Sequence, residues 1–245
     1  MGDELGLDAD DRVDAIEMMT DGWLTALEDH AEGDSEDTFA YTRDVAWGRL
    51  DDFLDDVEDE RDRDRLLSKW TVDGRLDLAS PDLAAALEAW VDGLLAAWPS
   101  YVANLDTGLA GEVAWFEVKD VAQRLGAGLG SLGTPRLVVL VEGPTDDDDD
   151  DRVLDVKMQG APAAGEWLPL GGSWTNHAER VVTANRILLN EADDHLGWLA
   201  FADGAWSVRE RSPWKATLDA SYLDSPTRLR KMAAQWGYVL GTAHS

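Results

Sequence analysis

Cysteine is absent from the 245 residues. The chain therefore has no disulfide framework, no thiolate zinc site and no cysteine nucleophile. Lysine is scarce at five residues, and the four histidines, His30, His177, His195 and His244, stand far apart without metal-ligand spacing. Ordinary polar roles fit them better than a metal. No window approaches 18 continuous apolar residues, and the opening Met-Gly-Asp-Glu lacks the basic region and apolar core of a signal peptide. These absences point to a cytoplasmic protein with no membrane contact.

Acid is what the chain has in excess. Fifty acidic residues against 21 basic ones give a net charge of −29. Such a surface repels nucleic-acid phosphates and anionic lipid, so neither is expected as a partner. Yet the apolar fraction is 44% with 12 tryptophans, too hydrophobic for a disordered acidic tail. Like charge at this density opposes a compact state unless it is screened, and the Debye length shrinks to about 3 Å at 1 M salt. The composition thus predicts a halophilic protein of a salt-rich cytoplasm. In such a chain an acidic cluster points only weakly to metal or catalysis, and the six aspartates Asp146 to Asp151 read as a solvated loop.

Apolar spacing organises the rest. Val13, Ile16, Met19, Trp23, Leu24 and Leu27 predict a helix over 10–30, and Tyr41, Val45, Leu50, Phe53, Leu54 and Val57 a second over 38–59. Val72-Asp73-Gly74-Arg75-Leu76 reads as a hairpin, and Ser80-Pro81-Asp82 as the cap of a helix that stops before Pro99. Residues 112–124 are ambiguous, with Val113, Phe116 and Val121 at helical spacing that passes into a strand just before the glycines. A helix over 177–190, strands over 196–201 and 206–208, and a last helix from Ser225-Pro226 follow, the last with Leu229, Met232, Ala233, Trp236, Leu240 and Ala243 at helical spacing.

The most informative stretch is 126–157. Gly128, Gly130 and Gly133 are spaced G-x-G-x-x-G, then come Leu137-Val138-Val139-Leu140-Val141 and a second strand ending at Lys157. Bare glycine backbone can approach an anion without Cβ clashes. A dinucleotide fold requires a helix after the glycines, and here a proline and a strand follow. A kinase-like loop instead joins two strands, and a third strand carries a lysine to the phosphates, which is where Lys157 stands. Tight turns and a solvated strand lysine are the plainer alternative. Glu179, on the first turn of the 177–190 helix, is the candidate carboxylate for Lys157. It could equally be a surface acid favoured by its own helix dipole.

These segments also carry a resemblance. Gly128-Leu-Gly130-Ser-Leu-Gly133-Thr134, Asp155-Val156-Lys157, Glu179-Arg180-Val181-Val182, Leu196-Gly197-Trp198, Val208-Arg209-Glu210 and Trp236-Gly-Tyr-Val-Leu-Gly-Thr-Ala-His244 occur in the order found in the family called domain of unknown function 2252. The likeness runs over roughly 60–245. That family resembles protein kinases and aminoglycoside phosphotransferases, which implies ATP and magnesium as ligands. Its usual glutamate falls here at Thr183, with Glu179 one turn earlier on the same face. Its Gly-Asp-x-His-x-x-Asn and Asp-rich metal-binding segments have no counterpart in this sequence, so no catalytic residue is assigned.

The expectation is an α+β fold: a mainly helical region over 1–110, then a kinase-like small lobe over 111–245 made of an antiparallel sheet plus helix. Its function is ATP binding, within a phosphotransferase whose catalytic-loop residues this chain does not supply. The alternative is a non-catalytic scaffold that keeps the fold and binds another protein chain. Gly128, Gly130, Gly133, Lys157 and Glu179 are the cofactor-binding residues under the first reading.

Overall fold

Helices and antiparallel strands share the chain in the α+β mixture that the sequence predicts. The computed structural model describes residues 6–33, 39–105, 116–126, 133–167, 171–190 and 192–245. The helices are α1 (Ala9–Glu32), α2 (Arg49–Glu60), α3 (Arg63–Trp70), α4 (Glu88–Val102), α5 (His177–Leu188) and α6 (Pro226–His244). The strands are β1 (Thr71–Val72), β2 (Arg75–Leu76), β3 (Leu83–Ala85), β4 (Val118–Arg124), β5 (Arg136–Val141), β6 (Arg152–Gln159), β7 (Gly197–Phe201) and β8 (Gly204–Glu210). Two compact units result, one comprising 1–61, 187–191 and 214–245, the other 62–186 and 192–213.

The second unit is built on a six-stranded antiparallel sheet in the order β3-β4-β5-β6-β8-β7, with β1 and β2 as a separate hairpin. Asp73 and Gly74, at φ 49° and 68°, turn that hairpin in two residues. Leu137 to Val141 are all buried, which explains why this run does not alternate. One side of the sheet packs Leu137, Val139, Leu154 and Val156 against Leu94, Trp98 and Tyr101 of α4. The other packs Val138, Leu140 and Val153 against Leu67 and Trp70 of α3.

The helix expected from Ser80 starts later, at Glu88, because tertiary pairing overrides the local cap. The Asp82 carbonyl accepts from Leu125 N at 2.9 Å and from Arg124 Nη1 at 2.8 Å, and Leu83 pairs with Arg124. The same helix runs through Pro99 rather than stopping before it. A proline in the last turn removes one intrahelical bond. Flanking anchors offset that loss: Trp98 Nε1 donates to Phe116 O at 2.8 Å and Tyr101 Oη to His195 O at 2.9 Å.

In the first unit α1 and α6 pack together through their smallest residues. Ala15, Ala26, Ala233, Gly237 and Gly241 are buried, whereas Val13, Ile16, Trp236 and Leu240 are exposed. The apolar stripes read from spacing therefore hold only in part: Met232 and Ala233 are buried as expected, whereas Val13, Ile16, Trp236 and Leu240 are not. Small residues win because they let the two backbones approach. The expected 38–59 helix begins only at Arg49. Within 39–48 the Gln235 side chain accepts from Trp47 N at 3.0 Å and Tyr41 Oη at 2.7 Å, and donates to Trp47 O at 3.1 Å. These bonds satisfy backbone groups that a helix would have used internally.

Candidate functional site

The hairpin of β5 and β6 sets the site by register. Antiparallel pairing places Lys157 opposite Arg136, Asp155 opposite Val138 and Val153 opposite Leu140, so Lys157, Asp155 and Arg136 leave the sheet on one face. On the far side of β6, Ser207 stands opposite Lys157 and Arg209 opposite Asp155. Met158 N donates to Pro135 O at 3.1 Å, which ties the Lys157 end of β6 to the last residue before β5. Gly126 and Gly133 adopt φ 61° and 76°, left-handed values that favour glycine. Gly128 and Gly130 lie outside the described residues. The loop they belong to leaves β4 after Arg124 and enters β5 at Arg136, so an arginine stands at each stem.

Charge on this face runs against the acidity of the whole. Arg136 holds the buried Asp155 side-on, donating from Nε to Oδ1 and from Nη2 to Oδ2. The Arg124 and Arg211 guanidinium carbons lie 4.9 and 4.4 Å from the centre of the Trp70 ring. Arg124 also pairs with Asp82 at 2.9 Å, and this hydrogen bond holds the Asp82 carboxyl below its usual range. Burial, then the neighbouring Arg124 charge, holds Arg211 below its ordinary value. Among the described residues, neither Lys157 nor Arg211 has a carboxylate partner within salt-bridge distance. Among the described residues, Lys157, Arg209 and Arg211 thus stand without a carboxylate partner beside the paired Arg124 and Arg136.

Glu179 is not brought to Lys157. Asn176 Oδ1 caps the start of α5, accepting from Ala178 N at 3.0 Å and Glu179 N at 2.9 Å. The Glu179 carboxylate turns back to accept from the Thr175 hydroxyl at 2.5 Å and the Thr175 backbone N–H at 2.7 Å. Those hydrogen bonds hold its carboxyl below the usual range. The turn into α5 thus occupies the group proposed to orient the lysine.

Sequence reading missed Arg124, Arg136, Arg211 and Trp70. Their proximity depends on strand register and on α3 crossing the sheet. The legible signal was a basic residue on either side of the glycines. A cavity of about 540 Å³ in the first unit, lined by Tyr41, Ile187, Asn190, Val239 and Thr242 among others, includes none of the predicted site residues.

A family model described as "Uncharacterized protein conserved in bacteria (DUF2252)" matches residues 1–245. No curated protein and no solved structure matches the chain.

Proposed function

Because the chain belongs to the DUF2252 family of uncharacterized proteins conserved in bacteria, itself without an assigned activity, we propose from the site that its sheet-containing unit binds a nucleoside triphosphate in a kinase-like manner. The observation that carries this reading is Lys157, free of a carboxylate partner among the described residues and opposite Arg136, which immediately follows the glycine loop. Element order supports it as well: strand, glycine loop, strand, lysine strand, helix, strand, strand. Glycine backbone N–H groups would drape the phosphates, and Lys157 would contact them. ATP with magnesium is the ligand this reading names. Magnesium would be held chiefly by the phosphates, since no described carboxylate stands free beside Lys157.

The test is thermal unfolding in molar KCl with and without millimolar Mg-ATP. A ligand at 100 times its Kd stabilises by about 2.7 kcal/mol, which is several degrees in Tm for a chain of this size. Wild type should shift upward and Lys157→Ala should not. No shift, or equal shifts in both proteins, overturns the proposal.

A second reading, a non-catalytic interaction protein, is favoured by Glu179. Its carboxylate is bound to Thr175, so Lys157 lacks the orienting partner that phosphoryl transfer uses. Under this reading Mg-ATP leaves the Tm unchanged.

A further inference from the structure

We propose that His195, Asp193 and Glu210 form a site for a divalent transition-metal ion of the zinc type, distinct from the Lys157 face. The β7–β8 hairpin makes the juxtaposition. Gly197 pairs with Val208, so two residues further out His195 comes level with Glu210, at the open end of the hairpin. Glu210 stands opposite Leu154 rather than in the register of Lys157. Asp193 closes the turn before β7: its Oδ1 accepts from His195 N at 2.9 Å and its Oδ2 from Glu210 N. Tyr101 Oη fixes the His195 carbonyl, and the Phe116 ring packs 5.6 Å from the imidazole.

His195 itself is what points to a ligand. It is 3% exposed, and among the described residues neither ring nitrogen has a hydrogen-bond partner. A buried imidazole with both nitrogens unsatisfied costs stability unless another species meets it. Its Nδ1 lies 3.6 Å from Asp193 Oδ1 and 3.8 Å from Glu210 Oε2. Those separations are too long for hydrogen bonds. They lie near the spacing of two ligands on one tetrahedral ion, roughly 3.3–3.5 Å for bonds of about 2.0–2.1 Å. The three ligand atoms all lie within 4.8 Å of one another.

The surroundings complete the site. Arg63 Nη1 binds Glu210 Oε1 at 2.7 Å, which fixes that carboxylate and leaves Oε2 toward the imidazole. Arg152 Nε, 3.8 Å from the same Oε1, adds positive charge on that side only. The Asp193 and Glu210 side chains are 27% and 19% exposed, enough for entry of the ion and for a water as fourth ligand. One imidazole and two carboxylates suit zinc and its divalent neighbours better than calcium. Binding would pin the turn before β7 to the end of β8.

The experiment uses the whole chain in molar KCl, treated with EDTA and then freed of it. Screening by the salt suppresses adventitious binding to exposed carboxylates. Cobalt(II) titration should give visible d–d absorption that saturates at one ion per chain and is displaced by Zn²⁺, and Zn²⁺ alone should raise the Tm. His195→Ala and Glu210→Gln should each weaken binding at least about 100-fold, while Asp149→Asn, in the exposed loop, binds as wild type. Glu210→Gln, at the partly exposed side, keeps the test valid should the buried His195→Ala fail to fold. Absence of saturable binding in wild type, or unchanged binding in Glu210→Gln, overturns the proposal.

Discussion

Asp151 is the residue whose environment most changes its chemistry. It is 1% exposed, and Lys119 Nζ lies 2.9 Å from its Oδ2, 2.6 Å from Asp148 and 3.6 Å from Glu142. Burial pushes the Asp151 carboxyl up to about 6, although the Lys119 hydrogen bond and charge pull the other way. Lys119 holds its proton more tightly than a free lysine, because its hydrogen bonds to Asp148 and Asp151 outweigh the cost of burying it. An unfolded aspartate titrates near 3.9, so between about pH 4 and pH 6 the folded chain binds the extra proton. This group's contribution to stability is then complete below about pH 4 and is lost as pH rises to 6. Asn at this position cannot ionise. Denaturation of wild type and Asp151→Asn in molar KCl should therefore show wild type losing stability relative to the variant across that window, by up to roughly 3 kcal/mol. A pH-independent difference would sink the assignment. Sequence alone offers only the six-aspartate run here. That one of the six is buried on a lysine from β4 depends on where a distant strand passes.

At the scale of elements, local signals succeeded wherever the chain contacts its near neighbours. The Asp73-Gly74 turn, the β5–β6 hairpin and the Ser225-Pro226 start of α6 each follow from a few adjacent residues. They failed where a distant partner decides, as at Leu83, which pairs with β4 instead of entering a helix. The apolar stripe of α6 misled in part: Met232 and Ala233 are buried as it predicts, but Trp236 and Leu240 are exposed and Gly237 and Gly241 are buried instead. A Cβ at Gly237 would collide with the Met19 carbonyl, and one at Gly22 with that of Ala234. In an exposed helix, Gly→Ala is worth about 1 kcal/mol in favour of the helix. Against α1 the sign should reverse, because overpacking costs typically 1–3 kcal/mol and the atom met is backbone rather than a movable side chain. Gly237→Ala is accordingly expected to lower the denaturation midpoint, and an unchanged or higher midpoint would refute the close α1–α6 packing. The lysine strand was legible in the same local way. Its arginine neighbours, which come from β4, β5 and the end of β8, were not.

For the whole molecule, the question is what holds 50 acidic side chains on one fold with 21 basic ones. The helix α2 shows the answer locally: seven acids and one arginine lie within 49–60, and none of its residues is buried. Arg43, from outside the helix, sets its guanidinium against Asp51, Asp55 and Glu58. One cation spread over three exposed carboxylates leaves most of the repulsion unanswered, and exposed pairs contribute little individually. Dissolved counter-ions must supply the remainder. At 1 M salt, charges more than about 3 Å apart scarcely interact, whereas at 0.01 M the range grows to about 30 Å, comparable with the molecule itself. Dialysis from molar KCl into dilute buffer should then erode the near-UV circular dichroism of the tryptophans, most steeply for those in the α2-containing unit, such as Trp47. Adding KCl back should restore it, and sodium sulfate at equal ionic strength should do at least as well, because sulfate also strengthens apolar burial. A spectrum indifferent to salt would mean that repulsion is already balanced within the chain, and the acidity would need another cause.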